Sequence, residues 1–248
     1  MLSIGFAGYA AGALAFLALT LVLLTGQRGQ SRKRLLLLAA FTSALWMGMA
    51  AYQSATQALP FQSQLLELLR DLAWIAFLAR ILGSAYGDPD TANRRFRSVV
   101  MASGAFVLLL ASLTVHRFFS GVAIISAIGV DWLLAGYLLV AIFGLVLVEQ
   151  LFRNTRAEMR RGVKYLCMGL GGMFAYDFYL YADALLFQRV DGALWQARGY
   201  VNALVVPLLG VAIARDTRWS RDIFVSRRIV FHTASLLGAG IYLFAMGA

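Results

Sequence analysis

The sequence predicts an all-α membrane protein, a polytopic bundle with seven complete transmembrane helices, its N-terminus outside, and the start of an eighth. Three observations carry this. Of the 248 residues, 61% are hydrophobic and only 14% charged, whereas a soluble domain has about 25% charged and 45–50% apolar residues. The apolar residues fall in blocks of the length, about 20 residues at 1.5 Å each, that crosses a hydrocarbon core. Basic residues gather in every second connecting segment. The whole chain, 1–248, therefore reads as one transmembrane domain.

The first span, 3–25, has no positive charge before it and Arg28, Arg32, Lys33 and Arg34 after it. That polarity is expected of an uncleaved anchor rather than a signal peptide, and it sends the N-terminus out. The second and third spans, 35–57 and 61–84, are separated by an uncharged turn containing Pro60, which suits the first turn of a helix. A basic segment with Arg94, Arg95 and Arg97 precedes span 98–115. The stretch 121–130 is apolar but too short to cross. Span 131–152 opens on Asp131 and leads to the segment with Arg153, Arg156, Arg160, Arg161 and Lys164. Span 165–187 follows, then a segment, 188–198, with Arg189 and Arg198. Span 199–214 contains Pro207, which should kink it. Segment 216–228 mixes Trp219, Ile223, Phe224 and Val225 with Arg218, Arg221, Arg227 and Arg228, and reads as a helix lying at the cytoplasmic interface. A last apolar block, 229–248, is still running at Ala248. Basic and charge-poor segments alternate throughout, so the positive-inside rule gives one consistent topology.

Ionisable residues within spans are costly and point to function. The third span holds Glu67, Arg70, Asp71 and Arg80, and the sixth holds Asp177 and Asp183 among several aromatic residues. Counted along helices, Glu67 lies roughly 9 Å, Arg70 and Asp71 roughly 14–15 Å, Asp177 roughly 15 Å and Asp183 roughly 6 Å from the outer face. Glu67, Arg70, Asp71, Asp177 and Asp183 are thus expected in one polar cluster if the third and sixth helices meet. Glu67 and Arg70 have the spacing to pair along one helix. Arg80, near the cytoplasmic end, is expected to snorkel. Two readings of the cluster stay open: an ion-pair network that fixes helix register, or a sensing or proton-responsive site.

Several chemistries are excluded or disfavoured. There is no Gly-rich phosphate loop and no H-E-x-x-H, and His116 and His232 are the only histidines. The one cysteine, Cys167, gives neither an internal disulfide nor a metal-site spacing. The lysines, Lys33 and Lys164, lie outside the spans, which excludes a retinal Schiff base. The net charge of +10 sits beside the spans, where it orients the chain, so nucleic acid is not an expected partner and the bilayer is. Gly8-x-x-x-Gly12 is read as close packing inside the bundle, with dimerisation the lesser alternative. No catalytic residue, metal or cofactor is expected within the chain.

Segments 161–187 (RGVKYLCMGLGGMFAYDFYLYADALLF), 198–215 (RGYVNALVVPLLGVAIAR) and 222–233 (DIFVSRRIVFHT) resemble the N-terminal membrane region of PrsK-type sensor histidine kinases, which accompany the exosortase/PEP-CTERM sorting system of Gram-negative bacteria. The resemblance implies an inner-membrane signal-input region, followed in the parent protein by kinase domains that bind ATP and Mg. It also implies a homodimer and a cognate response regulator as partners. The alternatives are a transporter or channel subunit, with the carboxylates as a proton or cation path, and a purely structural anchor.

Overall fold

The computed structural model describes residues 4–25, 31–56, 61–83, 89–121, 131–155 and 160–215, with the side chains of 31, 89, 160 and 161 excepted. These residues form seven helices: α1 (Ile4–Thr25), α2 (Ser31–Thr56), α3 (Phe61–Gly83), α4 (Pro89–Ser120), α5 (Trp132–Asn154), α6 (Arg160–Phe187) and α7 (Gly192–Arg215). Pro60, most of the 121–130 stretch, the interfacial residues Trp219, Arg221, Arg227 and Arg228, and the block 229–248 lie outside the described residues.

Five of the helices, α1, α2, α4, α5 and α7, are long and apolar enough to cross a membrane. The two others, α3 and α6, carry ionisable residues at mid-length, and those residues face inward: Glu67, Arg70, Asp71 and Asp177 are buried. The outward faces are apolar instead. Leu14, Met101 and Leu108 are 66%, 66% and 71% exposed, an arrangement that water would penalise and lipid would not. The all-α membrane architecture follows from this inside-out distribution.

Helix order around the bundle is α1, α2, α3, α5, α6, α7 and back to α1, with α4 lying on the outer side of α3. Helix α3 approaches the backbones of α2, α4 and α5; across the interior, long side chains link it to α6 and α7. Glycine sets the α1–α7 approach. A Cβ on Gly199 would meet the Tyr9 N at 2.7 Å and the Gly8 carbonyl carbon at 2.8 Å, so only a residue without a side chain lets the two backbones come this close. Gly8 packs on Tyr200 and Gly12 on Met47; the Gly8-x-x-x-Gly12 motif is used inside this chain.

Helix boundaries differ from the apolar blocks where a helix continues into polar sequence. Helix α4 runs through Arg94, Arg95 and Arg97 and on to Ser120, well beyond 98–115 at both ends. Asp131 is not part of a span but the N-cap of α5, accepting from the Leu133 and Leu134 amides at 2.9 and 3.4 Å. Its other oxygen takes a 2.6 Å ion pair from Arg117 at the end of α4. Helix α6 starts at Arg160 rather than 165. Helix α7 starts at Gly192 rather than 199, because Asp191 accepts from the Ala193 and Leu194 amides at 2.8 and 3.0 Å and caps it. Those two amides, Leu194 first, hold the Asp191 carboxyl below the usual carboxylate range. Pro207 lies inside α7.

Candidate functional site

The inner face of α3 is built on residues three and four apart: Ser63, Glu67, Arg70, Asp71 and Trp74 are all buried. Glu67, Arg70 and Asp71 point across the bundle at Asp177 on α6 and Arg198 on α7. Arg70 donates to Asp71 Oδ1 through Nε at 2.9 Å and Nη2 at 2.7 Å, and its Nη2 also reaches Asp177 Oδ2 at 2.6 Å. Arg198 donates through Nε to Asp177 Oδ1 at 2.6 Å and through Nη2 to Glu67 Oε1 at 2.5 Å. The result is a chain of five alternating charges, Asp71, Arg70, Asp177, Arg198 and Glu67. It leaves α3, passes through α6 and α7, and returns to α3 one turn away. None of the five is more than 4% exposed.

Neutral groups complete the site. Tyr181 donates its hydroxyl to Glu67 Oε1 and stacks on Tyr137 of α5 with ring centroids 4.9 Å apart. The Trp46 ring from α2 faces both cations, with the Arg70 and Arg198 Cζ atoms 4.1 and 4.7 Å from its centroid, so its π cloud adds to the stabilisation of both. Asn202, one turn after Arg198, donates to the Arg198 carbonyl at 2.9 Å and lies 3.5 Å from Arg70 Nη1 through its oxygen. Two tyrosines fasten the first turns of α7: Tyr9 donates to the Trp195 carbonyl at 2.6 Å and Tyr176 to the Leu194 carbonyl at 2.7 Å. Six helices thus hold Arg198 and its partners in place.

The structure brings together Glu67, Arg70, Asp71 and Asp177 of the expected cluster, and pairs Glu67 with Arg198 and Tyr181 rather than with Arg70. Asp183 is half-buried and makes no ion pair with the cluster. It lies six residues beyond Asp177, about 240° around the helix, while Tyr181 and Ala184 share the Asp177 face and are buried. Arg80 is partly buried with its Cζ 5.3 Å from the Phe96 ring centroid. The residue that the sequence reading placed outside the spans is Arg198. Its cue was the Asp191 cap, which starts α7 early enough to carry Arg198 inside. A second cue was charge: three carboxylates facing one arginine leave a negative excess that a second cation offsets. Among the described residues, no group of His, Cys, Asp and Glu has a metal-holding arrangement.

No protein-family model, no curated protein and no solved structure matches this chain.

Proposed function

We propose that this chain is the membrane-embedded signal-input region of a two-component sensor histidine kinase linked to PEP-CTERM protein sorting. In this reading all seven helices cross the bacterial inner membrane, with the N-terminus outside and the charge chain in the outer half of the bilayer. Helices α3 and α6 cross despite their charges because neighbouring helices shield them from lipid. Kinase domains beyond Ala248 would bind ATP and Mg, work as a homodimer and phosphorylate a response regulator.

The observation that carries the reading is the path of the charge chain. It couples α3 and α6 to α7, the helix that leads at Arg215 towards the C-terminal segment. A change in either Arg198 pair alters what holds α7 to α3 and α6, and a bias of about 1–3 kcal/mol between two arrangements is enough to alter an attached activity several-fold. A cation path fits less well, because Trp46, Trp74, Arg70 and Arg198 fill the interior and are fully buried. The test is to read the gene past the codon for Ala248 and incubate membranes containing its product with labelled ATP. The reading expects histidine autophosphorylation. A product without kinase domains would overturn it in favour of a transporter subunit or an anchor.

A further inference from the structure

Buried polar atoms without a hydrogen-bond partner are uncommon in folded proteins, and internal water is a usual reason for them. Among the described residues such atoms are Gln53 Oε1 on α2, Ser63 Oγ on α3, Trp46 Nε1 on α2 and Arg198 Nη1 on α7. They share the end of the bundle where α2 stops and α3 begins. By helix rise, Gln53 and Ser63 sit about 3–5 Å from that end, Arg198 about 9 Å and Trp46 about 15 Å. Glu67 lies one turn inward from Ser63 on the same face of α3. The orphaned atoms include an acceptor, a hydroxyl and two pure donors. An anion would satisfy the donors alone and a cation the acceptor alone; water satisfies all of them.

The same end carries an unbalanced charge. Glu67, Asp71 and Asp177 face Arg70 and Arg198, a formal excess of one negative charge that a single proton cancels. Asp177 sits between both guanidiniums, and Glu67 accepts from Arg198 and Tyr181. Asp71 accepts from Arg70 alone, through one oxygen. It is the carboxyl held by a single residue rather than two, and so the one whose protonation breaks into the fewest links of the network.

We propose that internal waters line the α2–α3 seam from its outer end to the charge chain, and that this site takes up one proton, carried by Asp71. The step is proton transfer from hydronium to a carboxylate oxygen; one O–H bond breaks and one forms. Asp71 touches Arg70 and shares the buried interior with the titratable and charged groups Glu67 on α3, Asp177 and Tyr181 on α6, Arg198 on α7, Tyr9 on α1 and Tyr137 on α5. Helix α2 presents Trp46, and the buried residues of α4, Ser103, Val107, Leu110 and Thr114, are uncharged. Protonation removes the negative end of the chain and leaves Arg70 to Asp177 alone, which redistributes the pull on α6 and α7. That consequence rests on the signal-input reading; the proton site and its waters do not.

The experiment is infrared difference spectroscopy of the intact protein in lipid nanodiscs after a pH jump. The wild type should show a protonated-carboxyl carbonyl band that shifts in heavy water, and Asp71→Asn should abolish it while Asp183→Asn, off the charge chain, retains it. Ser63→Ala and Gln53→Leu should retain the band but slow its appearance about tenfold, the effect of losing one net hydrogen bond along the route. These two variants touch no charge, so they decide the matter even if Asp71→Asn fails to fold. Absence of the band in wild type, its survival in Asp71→Asn, its loss in Asp183→Asn, or unchanged rates in both seam variants would overturn the proposal. No kinase enters the measurement, so failure here leaves the signal-input reading standing. A protein that takes up the proton but lacks kinase activity sinks that reading instead.

Discussion

Arg70 and Arg198 are the residues on which the bundle interior depends. Each neutralises two carboxylates and lies against the same tryptophan. Removing one partner of a buried pair leaves an uncompensated charge, at a cost of about 3–5 kcal/mol, softened where the orphaned carboxyl protonates. Arg70→Ala should therefore lower stability by that order in unfolding measured in mixed micelles. The double variant Arg70→Ala with Asp177→Ala should recover part of the loss; strict additivity would show that the two are uncoupled. Arg198→Lys should not rescue function in place of arginine, since one ammonium cannot reproduce the separate Nε and Nη2 bonds to Asp177 and Glu67. Asp183→Asn, off the charge chain, should shift stability by less than about 0.5 kcal/mol, the usual range for a substitution away from such features.

At the scale of the helix, glycine carries the α1–α7 contact. Gly199→Ala would place a methyl against the backbone of Tyr9 and Gly8, which cannot yield as a flexible side chain would. A loss of about 1–3 kcal/mol is expected, as for other overpacked contacts, and retained stability would mean that the helices separate easily. Among the described residues, the seven helices fall where the sequence has its first seven apolar blocks, because an apolar block in lipid needs to be a helix. Their ends could not be read this way. Apolar content marks where lipid begins, whereas a helix stops where its last amides and carbonyls find other partners. Hence α4 continues through Arg94, Arg95 and Arg97, and α7 begins at Gly192, just after the Asp191 cap and seven residues before Gly199. Most of the site was visible as intramembrane charge on α3 and α6. Arg198 was hidden by the same boundary error. Asp183 was misplaced because depth alone, without the angle around α6, does not say which way a side chain faces.

For the whole molecule, the proposed topology puts the basic segments on one side of the membrane. In a Cys167→Ala background, single cysteines placed in 26–34, 85–97 and 153–164 should be shielded from an impermeant thiol reagent in intact cells with a permeable outer membrane. One placed in 188–198 should react. Labelling of the first three would reverse the topology and put the charge chain on the cytoplasmic side. Under the proposed function, the charge chain couples α7 to α3 and α6 so that its state governs an attached kinase. Asp177 joins both arginines, and Asn keeps its size while removing its charge. Autophosphorylation of the full-length protein in membrane vesicles, normalised to folded protein and followed from pH 5 to 8, is the most direct measurement. Asp177→Asn should change the output several-fold and flatten its pH response, with insertion intact. An output and pH response identical to wild type in folded Asp177→Asn protein would contradict it.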